Sequence, residues 1–418
     1  MVKVPIELWE GGAMRSASVF WGRRLWGFFV LAIIGICGFL TAASADDKKD
    51  ADAKKETDAA FAKSKQPFRY ETGDGVKLVG DFYTHQEDNI AKPKSSPVVI
   101  LLHAVGPGKA GASRKDWGKL PELLWKEGYS VLAFDFRGYG DSKDVAPAAY
   151  ARIHGRQINK IEAKSFSSVE DYANLVSDVV AAKVWLDLQN NDGICNANNL
   201  AIIGAEQGTA VGLLFAANEF IDLDRGREFV KKKIPAQVQD YNPIFYGFSY
   251  WTGGPRVDPG MEIDVPTKYE GDDITCVVGL SMKPALGGFT LDKHIKAWMQ
   301  RPLADNKTML DKISLYGLYG EKDVASDTYW RAANSWLKGS GGGKQQSGYK
   351  VIKNTNLAGT KMLGSDALNT EEKIVEFLAQ VFKPANASKV RREYKDKPSA
   401  PDPNPPLFKH QAAKFFFG

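Results

Sequence analysis

The stretch Leu200–Gly208, read as Leu-Ala-Ile-Ile-Gly-Ala-Glu-Gln-Gly, determines how the rest of the chain is interpreted. It has the form of a short buried strand that runs into a turn bracketed by two glycines and then into a helix over 209–217. The glycines flank a central residue with one spacer on each side. This is the G-x-S-x-G spacing that presents a nucleophile on a strained strand-to-helix turn. The central residue here is Glu206 in place of serine, so the spacing predicts the scaffold of a nucleophilic site without its usual nucleophile.

Buried strands and helices alternate along the chain on both sides of this stretch. A hairpin comes first, over 68–83, and turns at Gly73-Asp74-Gly75. Continuous apolar runs predict strands that are covered on both faces, at 97–103, 129–136, 200–205, 274–281, 313–319 and 349–353. Helical periodicity predicts helices at 117–127, 168–188 and 370–381. Residues 190–199 are expected to form a loop. The alternation predicts an α/β fold with a mostly parallel sheet.

The N-terminus has the pattern of an export signal. Arg23 and Arg24 precede an apolar run over 25–40, and small residues over 41–45 resemble a cleavage site. The pattern favours a cleaved signal over 1–45 and a periplasmic, cell-envelope or secreted protein. An uncleaved anchor that associates with the membrane is the alternative, although the apolar run is short for a spanning helix. The charged segment 46–66 has hardly any apolar side chains and is predicted to be a flexible linker.

Charge and cysteine content restrict the classes of partner. The formal net charge of +5 is modest and lies partly in the termini, so we expect no nucleic-acid partner. The tail over 383–418 is basic and rich in proline. It is predicted to be extended, and a dedicated role in binding anions or a membrane is the alternative. Cys195 and Cys276 are either a disulfide pair or two isolated buried thiols. Because no Cys/His cluster has the spacing of a zinc site, we expect no metal and no cofactor.

Five motifs in order along the chain resemble the α/β-hydrolase family, in its esterase, lipase and serine-aminopeptidase-like branch. They are the Gly-Asp-Gly hairpin, Leu-Leu-His-Ala-Val-Gly-Pro at 101–107, Phe-Asp-Phe-Arg-Gly-Tyr-Gly-Asp-Ser at 134–142, the elbow at 204–208, and Tyr-Gly-Glu-Lys-Asp at 319–323. The resemblance covers 67–382 and implies an eight-stranded, mostly parallel sheet flanked by helices. An insertion over 219–272, which carries the aromatic segment Tyr241–Trp251, follows the elbow helix and is expected to cover a pocket.

The family's chemistry requires a nucleophile, an acid and a histidine in that order. The resemblance puts Glu206 at the nucleophile position and Asp323 at the acid position. The histidine position is occupied by Ala358, and no histidine lies between His294 and His410. We therefore assign no catalytic residue and regard Glu206, Asp323 and Ala358 as relict triad positions.

The remaining candidate residues surround the elbow. His103 matches the histidine that shapes the family's oxyanion loop, and the candidate binding residues are His103, Ala104, Glu206, Gln207 and Asp323. His85, His154 and His294 are interpreted as structural, with an approach of His154 to the site as the alternative. Glu206 and Asp323 could give one cleft a negative potential, but two carboxylates are weak evidence for a metal site.

The predicted function depends on the role of the Glu206 carboxylate. A carboxylate at a helix N-terminus is favoured by the helix dipole, and we hypothesise that it folds back onto backbone donors, including the N–H of Gln207. The leading prediction is an exported, catalytically inactive protein with a hydrolase fold. It would bind an unknown small molecule or protein at the relict cleft, or act as a scaffold. The alternative is a hydrolase that acts on esters or peptides by a non-standard mechanism.

Overall fold

A computed structural model of the chain describes residues 55–85, 96–221, 229–233, 262–266, 270–300, 307–337 and 346–382. The chain divides into two compact units, Met1–Ala60 and Phe61–Gly418. In the first unit the described residues are 55–60, which are helical. The second unit contains the other described ranges and the candidate site. The predicted export signal, the aromatic segment Tyr241–Trp251 and the basic tail lie outside the described residues.

One sheet of eight strands organises the second unit, in the order β1-β2-β4-β3-β5-β8-β11-β12. Its strands are β1 (Lys65–Glu71), β2 (Lys77–Tyr83), β3 (Pro97–Leu102), β4 (Ser130–Asp135), β5 (Asn196–Ala205), β8 (Ile274–Leu280), β11 (Ser314–Gly320) and β12 (Gly348–Ile352). β1 pairs antiparallel with β2, and β2 pairs antiparallel with β4. The other neighbouring pairs are parallel. The predicted N-terminal hairpin and mostly parallel eight-stranded sheet are confirmed.

Two short pairs of strands lie outside this sheet. β6 (Phe229–Lys233) pairs antiparallel with β7 (Glu262–Pro266), and both fall within the predicted insertion. β9 (Ala285–Leu286) and β10 (Phe289–Thr290) form a minimal hairpin after β8.

Helices connect the parallel strands. They are α1 (Leu120–Lys126), α2 (Pro147–His154), α3 (Val169–Ala173), α4 (Leu175–Asn191), α5 (Gln207–Ile221), α6 (Asp292–Met299), α7 (Val324–Leu337) and α8 (Thr370–Val381). Within the described ranges, no helix is both long enough and apolar enough to cross a membrane.

The central strands are apolar on both faces because the sheet is covered on both sides. Successive side chains of a strand point to opposite faces. In β3, Val98 and Ile100 therefore join one hydrophobic core, while Val99 and Leu101 join the core on the other face. All four side chains are fully buried. This arrangement explains why the sequence of β3 is continuously apolar instead of alternating.

Three predicted boundaries differ from the structure. The linker predicted over 46–66 is helical over 55–64, and β1 begins at Lys65. Within this helical stretch, the Phe61 ring stacks on the Tyr83 ring, with centroids 4.7 Å apart. The helix predicted over 168–188 is interrupted at Asn174, a residue whose side chain competes for backbone hydrogen bonds. The loop predicted over 190–199 already contains the start of β5.

The early start of β5 has a tertiary cause. Asn196, Asn198 and Asn199 have low strand propensity, yet all three are buried. Two of their side chains accept hydrogen bonds: Asn199 Oδ1 accepts one of 2.8 Å from the Thr275 hydroxyl, and Asn196 Oδ1 accepts one of 3.2 Å from the Asn198 N–H. Burial and pairing within the sheet thus override the local preference for a turn.

A buried charge cluster connects the first hairpin to the loop after β4 and to α4. The Arg137 guanidinium donates to Asp74 Oδ2 at 2.7 Å and to Asp178 Oδ1 at 2.8 Å, and its backbone N–H donates to Asp178 Oδ2 at 2.8 Å. Burial raises the pKa of Asp74, but the Arg137 charge and its hydrogen bonds more than offset this effect and lower the pKa overall. Two of the five sequence motifs therefore meet in one structural cluster.

Candidate functional site

The predicted elbow is present at the carboxyl end of the sheet. β5 ends at Ala205, α5 begins at Gln207, and Glu206 between them has a φ of 50°. This left-handed conformation costs a residue with a Cβ atom about 1–2 kcal/mol. The glycines permit close approach: a Cβ at Gly208 would lie 2.7 Å from the Leu102 carbonyl oxygen, and one at Gly204 would lie 2.5 Å from the Thr209 nitrogen. Glu206 thus occupies the apex where the family carries its nucleophile.

The Glu206 carboxylate is held by two lysines. Oε1 accepts a hydrogen bond from the Lys109 ammonium, and Oε2 accepts one from the Lys283 ammonium. Only 4% of Glu206 is exposed. Burial raises the pKa of Glu206, but the hydrogen bonds and charges of the two lysines outweigh it and lower the pKa overall. The carboxylate is therefore ionised at neutral pH. We refer to Lys109, Glu206 and Lys283 as the clamp.

The clamp differs from the hypothesis made for Glu206. The carboxylate is buried within the elbow, but among the described residues its donors are two ammonium groups and not the N–H of Gln207. The reason is electrostatic, because a charge-assisted hydrogen bond to an ammonium is stronger than one to a backbone amide.

The two lysines converge because of the strand order. Lys109 follows β3 and Lys283 follows β8, and these two strands are the neighbours of β5 in the sheet. The carboxyl ends of the three parallel strands meet at one edge, so their loops surround Glu206. The Lys283 N–H also donates to the Glu206 carbonyl oxygen at 3.3 Å. Sequence reasoning missed both lysines, since a loop lysine is ordinarily a solvated residue; only the strand order could have indicated them.

His103 has a structural role in the loop after β3. It is fully buried, its Nδ1 lies 2.8 Å from the Ala104 carbonyl oxygen, and its Nε2 accepts a 3.1 Å hydrogen bond from the Phe136 N–H. These partners assign the proton to Nδ1. Burial lowers the pKa of His103, so the ring is neutral at neutral pH. It orders the loop and has no nitrogen left to act as a base, which agrees with the role expected from the sequence.

Gln207 packs its side chain against that loop. A Cβ added at Gly106 would collide with the Gln207 amide, 2.6 Å from Cδ, so the amide lies directly over the glycine. Among the described residues its Oε1 is buried without a hydrogen-bond partner. The Gly106 N–H itself donates to the Tyr139 hydroxyl at 3.0 Å. The space beside the loop is therefore filled by Gln207, and one of the loop donors is already in use.

Asp323 serves as a helix cap. Its Oδ2 accepts a 2.7 Å hydrogen bond from the Ser326 hydroxyl, and its Oδ1 accepts a 3.2 Å bond from the Ser326 N–H at the start of α7. In the family the acid at this position orients a histidine. Here the carboxylate satisfies donors at a helix N-terminus instead.

The loop that carries Ala358 lies against Glu206. A Cβ at Gly359, whose φ is 59°, would lie 3.1 Å from Glu206 Cγ. The loop after β11 also reaches this segment, because a Cβ at Gly320 would lie 2.6 Å from the Leu357 carbonyl oxygen. The structure therefore brings Glu206, Asp323 and Ala358, the positions matched to the family's triad in the sequence, to one edge of the sheet.

The other described histidines are engaged elsewhere. His154 Nε2 pairs with Asp74 Oδ2 at 2.8 Å, and its ring stacks on Tyr150 at 4.2 Å. It belongs to the Arg137 cluster, and the alternative of an approach to the site is not observed. The His294 ring packs near Phe289, and burial lowers its pKa. The His85 ring packs against an aromatic side chain of α1.

Within the described ranges, no group of three or more His, Cys, Asp or Glu side chains is arranged to hold a metal ion. Cys195 and Cys276 are both buried as thiols.

Comparisons with known proteins concern the fold. No protein-family model matches the chain, and no curated protein matches its sequence. Similar solved structures include a Pyrococcus furiosus esterase (16% identity, 76% of this chain and 91% of that chain, TM-score 0.39). A putative α/β hydrolase from Agrobacterium tumefaciens is 15% identical over 75% of this chain and 95% of that chain, with a TM-score of 0.42. An α/β serine hydrolase without a lid from Xanthomonas campestris is 14% identical over 76% of this chain and 94% of that chain, with a TM-score of 0.38.

The chain's own topology defines its class. The order of the eight strands, the antiparallel second strand and the glycine-bracketed elbow between β5 and α5 together constitute the α/β-hydrolase fold. This protein has that fold, with a glutamate in the elbow.

Proposed function

We propose that this α/β-hydrolase-fold protein is not a serine hydrolase and that the carboxyl edge of its sheet acts as a binding site for a small molecule or a protein. One observation carries the proposal. Glu206 stands at the nucleophile position and is engaged by Lys109 and Lys283, while Ala358 stands where the general base would be.

The chemistry of the clamp argues against turnover. A carboxylate that receives two charge-assisted hydrogen bonds is a poor nucleophile, since the two ammonium groups withdraw electron density from the oxygen that would attack. An ester formed on Glu206 would need a base to activate water, and the alanine at 358 provides none. In a triad protease, the loss of the serine or the histidine alone lowers turnover about a million-fold.

The proposal is tested by labelling the purified full chain with a fluorophosphonate probe and by measuring hydrolysis of a panel of acyl esters and peptides. The native protein should show neither labelling nor turnover. The panel also tests the alternative of a non-standard hydrolase, because ester or peptide turnover that Glu206→Gln abolishes would overturn the proposal.

Restoring the missing groups gives a matched series. Glu206→Ser and Ala358→His are examined singly and together in the same labelling experiment. Labelling of only the double variant would mean that the fold retains the geometry of the site and that the loss of activity is local. Asp323→Asn in the double-variant background serves as a control, because it removes the acid that would orient the new histidine.

We also propose that the protein is exported. The proposal is supported by the basic, apolar and small-residue segments in 1–45. Determination of the N-terminal residue of the protein recovered from soluble and membrane fractions tests it. A mature chain that begins near residue 46 indicates cleavage. An intact N-terminus in the membrane fraction indicates an anchor that attaches the protein to the envelope, and a full-length protein in the cytoplasm would contradict export.

A further inference from the structure

The clamp has an uncompensated positive charge that faces solvent. Two ammonium groups and one carboxylate have a net charge of +1, and the side chains of Lys109 and Lys283 are 31% and 40% exposed, against 6% for Glu206. Each ammonium has three N–H donors and gives one to Glu206. The outward donors of both lysines therefore converge beside the same carboxylate, less than about 8 Å apart by the lengths of two hydrogen bonds and a carboxylate.

Exposed apolar side chains border the same edge of the sheet. Among the described residues, three large hydrophobic side chains are exposed. Two of them are Val324 (74%), the first residue of α7, and Leu357 (37%), in the loop after β12. The Lys322 N–H donates to the Thr355 carbonyl oxygen at 3.1 Å and so joins the segments that follow β11 and β12. An apolar surface beside a few converging polar groups is the composition of many ligand sites.

The loops that carry the apolar and the charged residues are in contact. The Ser326 hydroxyl lies 3.2 Å from the Met282 carbonyl oxygen, which joins the start of α7 to the loop of Lys283. Gly359, two residues after Leu357, lies against Glu206. These contacts place Val324 and Leu357 at the same edge of the sheet as the two lysines.

We propose that the clamp binds an organic monocarboxylate with an apolar chain. The carboxylate bridges the outward donors of Lys109 and Lys283, and the chain covers Val324 and Leu357. A single negative charge neutralises the clamp, whereas a dianion such as phosphate would leave it negative. Glu206 already demonstrates the complementarity, because the two lysines hold a carboxylate in the folded protein. The inference rests on the proposed function, since in an active esterase such an anion would be a product and not a ligand.

Calorimetric titration of the full-length protein with decanoate tests the inference. 1-Decanol, which has the alkyl chain without the charge, and inorganic phosphate, which has charge without the alkyl chain, are the comparison ligands. Decanoate should bind at least tenfold more tightly than either probe. Lys109→Met with Lys283→Met keeps the apolar stems and should weaken decanoate binding at least tenfold. The matched control is Lys296→Met, an exposed lysine of α6, which should leave the affinity unchanged.

Two further variants examine the charge and the chain separately. Glu206→Gln raises the charge of the clamp and should tighten decanoate binding several-fold. Val324→Asn with Leu357→Asn removes the apolar surface without adding charge and should weaken binding by a similar factor. Circular dichroism of every variant establishes that it is folded. Undetectable decanoate binding, or equal affinity in the native and double-lysine proteins, would overturn the inference. Neither result would affect the proposed function, which fails only on fluorophosphonate labelling or on turnover.

Discussion

Lys283 is joined to Glu206 through both its side chain and its backbone. Its ammonium donates to Oε2 of the glutamate, and its backbone N–H donates to the glutamate carbonyl oxygen at 3.3 Å. The residue at the apex of the elbow is therefore connected to the loop after β8 as well as to its own strand and helix.

Replacement Glu206→Gln should lower the free energy of unfolding by about 1 kcal/mol. The neutral amide keeps an acceptor but loses the charge that both ammonium groups contact, and the lysines are exposed enough to recover much of their hydration. Urea denaturation measures the change, with Glu321→Gln as a control, because the pair of Glu321 with Lys353 is largely exposed. An unfolding free energy that is unchanged or higher in Glu206→Gln would mean that the clamp contributes nothing to stability.

The contribution of Glu206 should depend on pH. Because the pKa of Glu206 is lower in the folded than in the unfolded protein, its stabilising effect is present above the unfolded pKa of about 4.3 and is lost as the pH falls further. The difference in unfolding free energy between the native protein and Glu206→Gln should be constant from pH 6 to 7. It should shrink between pH 4.5 and 3. Denaturant titrations at each pH measure it, and a difference that grows on acidification would contradict the assignment.

Replacement of the buried Arg137 should lower the free energy of unfolding far more than replacement of Glu206. Arg137→Met leaves Asp74 and Asp178 buried without their counter-charge, and breaking a buried pair in this way costs about 3–5 kcal/mol. The matched control is Arg331→Met, whose side chain is 70% exposed and whose ion pair with Asp327 is worth about 0.3–0.5 kcal/mol. Thermal unfolding compares the two variants; similar melting temperatures would show that the buried cluster is not required for stability.

Gly208 packs so closely against the end of β3 that a larger residue at this position should destabilise the protein. Gly208→Ala places a methyl group against the backbone carbonyl groups of Leu102 and His103, which cannot move without shifting β3. We expect a loss of about 1–3 kcal/mol in unfolding free energy, the range for overpacked positions. Gly111→Ala is the control, because no atom lies within 4 Å of its added Cβ. If the two variants were equally stable, the tight contact between α5 and the end of β3 would be refuted.

Much of the fold could be predicted from the sequence, because the signals were local. Continuous apolar runs indicated the buried strands, and Gly204 and Gly208 indicated the elbow, since only glycine allows the backbones to approach so closely. The errors lay where burial overrode local preference. Asn196 entered β5 against its propensity, and Phe61 belongs to a helical stretch that had been predicted to be linker.

Part of the candidate site could likewise be predicted from the sequence, and the rest depended on the tertiary structure. The sequence by itself determined that glutamate and alanine stand at 206 and 358, the positions that its resemblance to the family predicts for two members of the triad. It also led to the expectation that His103 shapes its loop. Only the tertiary structure decided the partners of Glu206. Lys109 and Lys283 are 97 and 77 residues away from it, and they meet its carboxylate because β3 and β8 flank β5. An interaction over such separations depends on strand order, which no local pattern encodes.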